Sequence, residues 1–299
     1  MRVAITGATG LIGAALGAAL RERGDEAVGV SRSPGPAMIG WDPKQGFTDA
    51  DALSGFDAVV NLAGESIAGR WTAAKKRRIL QSRIDATSAV VRAIGSARER
   101  PRVLINASAV GLYGDRGAEL LNERSEPGRA SEFLVGVTQA WEDAARAVEQ
   151  LPGAEVRLGL ARFGVVLDAN GGALGKMLGP FRMGVGGKIG SGAQWMAWVH
   201  VRDVVAALLF LIDRNDCSGA YNVVAPHPVD NAAFTAALGR VLDRPTFMRV
   251  PKLGVKMMFG EMGQALLLDS QRALPHRLLA AGFEFEFAEL ELALTDLLG

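Results

Sequence analysis

The chain opens on a run that constrains its architecture more than anything after it. Arg2-Val3-Ala4-Ile5-Thr6 is β-rich, Gly7-Ala8-Thr9-Gly10-Leu11-Ile12-Gly13 follows at once, and Gly10 to Arg23 reads as a helix closed by Gly24. A strand, a Gly-x-x-Gly-x-x-Gly loop and a helix is the order that gives this motif its meaning. Gly7 lets the chain turn sharply off the strand, Gly10 leaves no side chain in the way of a pyrophosphate, and Gly13 lets the helix pack close to the sheet. The helix N-terminus then offers unpaired N–H groups and a partial positive charge to phosphate. The segment is therefore expected to hold an adenine dinucleotide through Gly7, Thr9, Gly10, Leu11, Ile12 and Gly13. The plainer alternative is a Gly-rich turn without a ligand.

The end of the second strand chooses between cofactors. Binders of NAD usually place Asp or Glu there for the ribose 2′-hydroxyl, whereas Arg suits a 2′-phosphate. Here Ala27-Val28-Gly29-Val30 is followed by Ser31-Arg32-Ser33, with no acid. A hydroxyl and a guanidinium are suitable partners for a phosphate, so Ser31 and Arg32 point to NADP(H). The competing reading of Arg32 is a solvated loop residue.

Short β-rich runs alternate with helical stretches along the chain, the pattern of a parallel sheet covered by helices. Further strands are read at Ala58 to Leu62, Val103 to Asn106, within Val156 to Leu167, and at Ala220 to Val224. Helices are read at Lys75 to Ser96, Ser131 to Glu149, His200 to Asn215 and Asn231 to Leu242. Gly171 to Gly192 holds nine glycines and reads as a loop or lid. From Val250 onward the sequence suggests helices and a short hairpin, ending in Phe283 to Phe287 and a last helix. The expected fold class is α/β, a Rossmann-like doubly wound parallel sheet with a smaller, mostly helical C-terminal substrate lobe. Residues 1–225 would form the dinucleotide-binding domain, with a substrate-lobe segment around 168–198, and 226–299 the C-terminal cap.

Composition narrows the function. At 299 residues, 49% hydrophobic and 22% charged, the chain is globular rather than disordered. Its formal net charge of +1 gives no broad attraction to nucleic acid or to an acidic membrane. The single cysteine, Cys217, rules out an internal disulfide and any Cys-rich metal site, and His200, His227 and His276 lie far apart. Val3 to Leu20 is uncharged and loosely resembles a signal peptide, but its glycines and threonines dilute it. Val204 to Ile212 is apolar but too short to span a membrane. The expectation is a soluble, cytoplasmic protein with a small-molecule substrate, no metal, no nucleic-acid partner and no membrane partner.

Thr6-Gly7-Ala8-Thr9-Gly10-Leu11-Ile12-Gly13 resembles the opening of the extended short-chain dehydrogenase/reductases, the group of nucleotide-sugar epimerases and dehydratases. Several more segments are similar to an atypical branch, the epimerase family that includes the human short-chain dehydrogenase family 39U protein and bacterial YfcH-like proteins. They include Asn61-Leu62-Ala63-Gly64-Glu65, Ser82-Arg83-Ile84, Ala107 to Gly114, Arg162 to Leu167, Gly186 to Gly192, Trp198 to Asp203, Asn222 to Pro226, and Leu266 to Phe285. The resemblance covers nearly the whole chain. It implies a sheet of about seven strands. It also implies a cofactor lying across the strand ends with Asn61-Leu62-Ala63-Gly64 running beside it, and Leu62, Ala63, Gly64 and Glu65 as its contacts.

The parent superfamily uses a Ser/Thr, Tyr and Lys, with the Tyr as acid/base and the Lys lowering its pKa. The Tyr and Lys sit four residues apart on one helix face. The matching helix here has neither. Phe133 and Val137, or Leu134 and Thr138, take those positions. Ser108 at a strand end and Tyr113 beyond it are the candidate catalytic groups, with Ala109 the alternative to Ser108 if the loop shifts by one residue. Tyr113 reads equally well as a structural phenol. Arg83 would face the cofactor or an anionic substrate, or else belong to the helix surface near the basic run Lys75 to Arg78. Lys188, Gln194 and His200 are candidate substrate contacts, with a satisfied structural His the simpler reading of His200. Two functions follow. One is an NADP(H)-dependent oxidoreductase or epimerase-like enzyme acting on a small polar substrate such as a nucleotide sugar. The other is a non-catalytic NADPH-binding sensor or scaffold.

Overall fold

The β-rich runs assemble into one eight-stranded sheet in a computed structural model of the chain, which describes residues 1–153 and 156–299. Its strands are β1 (Arg2–Thr6), β2 (Glu26–Ser31), β3 (Ile39–Asp42), β4 (Gly46–Phe47), β5 (Ala58–Asn61), β6 (Val103–Ala109), β7 (Arg157–Phe163) and β8 (Gly219–Val223). They lie in the order β8-β7-β6-β5-β1-β2-β3-β4. Every neighbouring pair is parallel except β3–β4, so a parallel sheet of the expected kind carries one short antiparallel edge. A parallel sheet needs both faces covered, which is why β1, β5 and β6 read as nearly unbroken apolar runs.

The helices are α1 (Leu11–Glu22), α2 (Ala73–Ser96), α3 (Phe133–Arg146), α4 (Gly172–Arg182), α5 (Val201–Asp213), α6 (Asn231–Leu242), α7 (Lys252–Gly263), α8 (His276–Ala280) and α9 (Leu290–Leu298). One face of the sheet presents Val3, Ile5, Val60 and Ile105 to Leu16 and Leu20 of α1 and to Val204, Leu208 and Leu211 of α5. The opposite face presents Ala4, Val59, Leu104 and Leu158 to Ala86, Val90 and Ile94 of α2 and Ala145 of α3. Alternation along each strand thus feeds two separate cores. The strand order reverses between β1 and β5, and in open α/β sheets that switch point is where a ligand crevice opens.

A third core lies beyond the sheet and draws on two stretches of chain. Leu174, Leu178 and Phe181 of α4 pack with Trp198, with Phe234 and Leu238 of α6, and with Leu290 and Leu294 of α9. The Gly171-to-Gly192 stretch, expected as a loop or lid, therefore carries α4 and a strand at Gly187–Ile189. Leu174, Leu178 and Phe181 fall on one helical face, and their burial outweighs the poor helix propensity of the glycines and of Pro180. The hairpin expected after Val250 does not form either. Phe283 to Phe287 runs as irregular chain, with Phe283 edge-on to Phe210 and Phe285.

Asp203 fixes that irregular stretch. Its buried carboxylate accepts the backbone N–H of Glu286 at 2.9 Å and of Phe287 at 3.0 Å. Replacing Asp203 with alanine strands both donors. It is expected to cost about 2 kcal/mol or more, at roughly 1–3 kcal/mol per stranded group. Asp203→Asn, which keeps one acceptor, should lose less. Denaturant unfolding of the two variants checks the order.

Candidate functional site

The Gly-rich loop leaves β1 at the switch point. Gly7 sits at φ +67°, and a Cβ there would stand 2.9 Å from the Leu62 carbonyl oxygen. A Cβ on Gly13 would collide with the Gly7 carbonyl. Only glycine fits at either position, because the chain turns back on itself against β5. Gly10 donates its N–H to Gly7 at 2.9 Å and caps α1 with no side chain. The first turn of α1 holds no acidic residue. Its leading N–H groups are therefore left for an outside acceptor, in the field of the helix dipole.

The next strand end is held by a buried chain of hydrogen bonds. Thr6 donates its hydroxyl to Asn61 Oδ1 at 2.6 Å and accepts the N–H groups of Leu62 and Ala63. Asn61 Nδ2 donates to Asn106 Oδ1 at 2.6 Å and to Thr87 Oγ1 at 2.9 Å, and Trp141 Nε1 also donates to Thr87. Thr6 and Asn61 are the last residues of β1 and β5, and Asn106 is the middle residue of β6; all three are buried. Together they set the course of Leu62-Ala63-Gly64 past the loop. Of the three, only Asn61 falls in a segment that the sequence places beside the cofactor. The available signal was a polar residue closing the apolar run of each strand, at the end of β1 and β5 and midway along β6.

Arg32 is exposed at the end of β2, and Ser31 exchanges hydrogen bonds with the backbone of Ser33. No Asp or Glu occurs between Glu26 and Asp42. Glu65 faces α2 instead of open space. Its carboxylate takes Lys75 Nζ at 2.7 Å with Arg78 at 3.6 Å, and its N–H donates to Ser82. The basic run at the start of α2 is thus partly engaged rather than simply solvated, since Lys76 pairs with Glu261 and sits over Phe133. Arg83 is half-buried beside Gly64, donates Nη1 to the carbonyls of Glu65 and Ile79, and stacks on Trp141. Burial lowers its pKa to about 10, and the Glu65 charge pulls the other way without offsetting it.

Ser108 and Tyr113, the candidate catalytic groups, lie in one buried polar network. Ser108 donates its hydroxyl to Glu142 Oε1 at 2.6 Å. Arg162 grips the same carboxylate with two bonds, Nε to Oε1 at 2.7 Å and Nη2 to Oε2 at 3.0 Å. Arg162 Nη1 also donates to Tyr113 Oη at 3.0 Å, and Tyr113 in turn donates to Asn222 Oδ1 at 2.8 Å. Burial pulls the Glu142 carboxyl upward, but Arg162, Ser108 and Arg146 outweigh it and hold it below its ordinary range. Burial raises the Tyr113 phenol, which Arg162 only partly offsets. The phenol is fully buried, with its proton and a lone pair already engaged. That is the structural-phenol geometry, not that of an acid poised over a cleft.

The helix positions of the missing Tyr–Lys pair are apolar or occupied. Val137 is buried with Trp71 and Ile79, and Phe133 stands edge-on to Trp71 at 5.0 Å. Leu134 packs against the same group, and Thr138 returns its hydroxyl to the Leu134 carbonyl. Met262 and Ala265 close over this patch from the lobe.

The three substrate candidates part company. Gln194 Nε2 donates to the carbonyls of Ile189 and Leu267, tying the Gly-rich turn to the segment after α7. Lys188 lies half-buried in the Gly187–Ile189 strand, its stem beside Gly192. His200 is buried, caps α5 by accepting the Arg202 N–H at 3.0 Å on Nδ1, and stacks on Phe287 at 3.9 Å. Asp296 lies 3.2 Å from its Nε2 but off the hydrogen-bonding direction, so that contact is coulombic. His200 is a packed structural histidine. Among the described residues no group of three or more His, Cys, Asp or Glu is placed to hold a metal ion.

Sheet order, phosphate loop and strand-end network together define a short-chain dehydrogenase/reductase fold with a dinucleotide-type crevice. The profile of the NAD dependent epimerase/dehydratase family matches residues 3–134, and a domain of unknown function, DUF1731, matches residues 250–297. The bovine epimerase family protein SDR39U1 is 40% identical over 302 residues, covering 100% of each chain. YfhF of Bacillus subtilis, also described as an epimerase family protein, is 36% identical, covering 100% of this chain and 98% of its own. The crystal structure of human epimerase family protein SDR39U1 (isoform 2) with NADPH superposes with a TM-score of 0.91 at 38% identity, covering 99% of each chain. The chain belongs to this epimerase family of SDR39U1-type proteins.

Two outcomes follow from the buried groups. Tyr113→Phe leaves Arg162 and Asn222 short of a partner and is expected to lower stability by about 1–3 kcal/mol in denaturant unfolding. Burial keeps the His200 pKa below its ordinary 6.5 despite Asp296. The unfolded chain then binds the proton more readily than the folded one, so stability falls as pH drops below 6.5. His200→Asn keeps a capping oxygen and removes this ionisation. Thermal unfolding from roughly pH 7 to 5 should show a shallower decline for the variant.

Proposed function

We propose that the chain binds NADP(H) and acts as an oxidoreductase or epimerase-like enzyme of the extended short-chain dehydrogenase type on a small polar substrate, for which a nucleotide sugar is the class that best fits the family. The observation that carries the cofactor reading is the uncapped, acid-free N-terminus of α1 behind Gly7 and Gly10, with Ser31 and exposed Arg32 at the end of β2. The residues fit the group: a side chain at Gly7 or Gly13 would close the turn that a diphosphate needs open. Gly7, Thr9, Gly10, Leu11, Ile12 and Gly13 hold the diphosphate. Ser31 and Arg32 take the 2′-phosphate. The backbone of Leu62-Ala63-Gly64 runs beside the cofactor, with Glu65 holding the start of α2 next to it.

When bound, the nicotinamide gives or accepts the hydride, and the protein supplies orientation and charge. Arg83 places a desolvated cation beside Gly64, at the inner end of this path. Ser108 and Tyr113 act through position, by holding the end of β6 and the turn after it against β8. Lys188 is the substrate candidate whose charged group the lobe does not already engage.

A second reading has one specific observation in its favour. Tyr113 is locked and α3 has no Tyr–Lys pair, which suits an NADP(H)-binding sensor that performs no turnover. Fold alone does not decide between the two. Incubation with a panel of carbonyls and sugar nucleotides separates them, read both as net nicotinamide oxidation or reduction and, because an epimerase returns its hydride, as conversion of the substrate itself; steady turnover of any member supports the enzyme.

The cofactor assignment is tested by equilibrium binding. Arg32→Ala is expected to weaken NADPH about tenfold or more, the loss of a charge-assisted bond, and to leave NADH nearly unchanged. Equal loss for both cofactors would contradict a role at the 2′-phosphate.

A further inference from the structure

The balanced net charge conceals a segregated one. Residues 169–201 contain no Asp or Glu but carry Lys176, Arg182 and Lys188. Residues 244–260 likewise contain no acid and carry Arg244, Arg249, Lys252 and Lys256. The fold brings these two stretches together. Gly187–Ile189 pairs with Met248–Val250, Arg244 Nε donates to the Arg182 carbonyl at 3.1 Å, and Gly190 donates to Val250 at 2.8 Å. At the borders, Asp243 precedes Arg244, and Glu261 is already paired with Lys76.

The same surface is apolar to a degree the rest of the molecule is not. Met257 is 79% exposed, Phe247 77%, Met183 and Met258 72%, and Leu253 69%. On α7 the single buried residue of the first two turns is Val255. At about 100° per residue, Leu253 and Met257 project on the side opposite it, one turn apart, and Lys252 and Lys256 run together along one side of that ridge. Exposed apolar side chains in such a group mark an interaction surface rather than ordinary scatter.

We infer that this face, formed by the end of α4, the strand Met248–Val250 and α7, docks on the surface of an anionic phospholipid bilayer. A helix with an apolar ridge bordered by lysines lies in the interface plane with the ridge among the acyl chains and the cations at the headgroups. The long stems of lysine and methionine suit that depth. Charge decides against a second copy of this chain. A two-fold contact sets a patch against itself, and here it would bring Arg249, Lys252 and Lys256 against the same cations. The face belongs to the lobe, so a docked protein would draw its substrate from, or return it to, the membrane surface.

The test is co-sedimentation of the full chain with vesicles of phosphatidylcholine alone and with vesicles of phosphatidylcholine and phosphatidylglycerol. Binding is expected only to the anionic vesicles and should weaken with added salt. The double substitutions Met257→Glu with Met258→Glu, and Lys252→Glu with Lys256→Glu, should each weaken binding roughly tenfold or more. Retained NADPH binding and an unchanged unfolding transition would show that both variants fold. Absence of binding to either vesicle overturns the proposal. So does binding that the methionine substitutions leave intact, since that is adsorption by charge alone. A wild-type dimer in light scattering that becomes monomeric with the methionine substitutions also overturns it, by assigning the face to a second copy.

Discussion

The buried ion pair between Glu142 and Arg162 is the contact on which the inner half of the site depends. It joins α3 to β7, receives the Ser108 hydroxyl from β6, and through Arg162 holds Tyr113 against Asn222 of β8. Two charges taken out of water repay their desolvation only if the geometry is good and the remaining hydrogen-bonding capacity is used. Both conditions hold here, with bidentate contact and further bonds to Ser108, Arg146 and Tyr113. Loss of either partner leaves an uncompensated charge, at a cost of about 3–5 kcal/mol. Three strand ends and one helix are thereby fixed relative to each other.

A second constraint acts on the outer half. Gly7 is pressed against the Leu62 carbonyl and Gly13 against the Gly7 carbonyl, and the Thr6–Asn61–Asn106 chain keeps the Leu62 carbonyl in place. The phosphate loop and the strand-end network are therefore one mechanical unit. An open helix N-terminus persists because the loop beneath it cannot relax into a side-chain cap. The two halves meet near Arg83 and Trp141, where α2 packs against α3.

The parts of the molecule that follow local rules were readable from sequence. β1 was bounded correctly, and α1, α2, α5 and α6 fell within about two residues of their expected ends, because caps and apolar periodicity are local signals. α4 was hidden by its glycines, since only burial of Leu174, Leu178 and Phe181 in the lobe makes that stretch a helix. The expected hairpin near Phe283 failed for a related reason: Asp203, far away in sequence, satisfies the backbone there. At the site, the glycines and Arg32 were legible as a motif. The engagement of Ser108, Tyr113 and His200 was not, because Glu142, Arg162, Asn222 and Asp296 reach them from distant parts of the chain. Residue type identified groups capable of proton transfer, but long-range pairing determined whether they were free to do it.

The chain keeps the open phosphate loop of a cofactor crevice, while Ser108 and Tyr113, the hydroxyls nearest to a catalytic position, are committed to a buried network. A crystal structure of the chain with NADPH tests it most directly. The expected result is a 2′-phosphate against Ser31 and Arg32, a diphosphate on the first turn of α1, and Tyr113 still bonded to Arg162 and Asn222. A Tyr113 hydroxyl released from Arg162 and turned to the nicotinamide would contradict it.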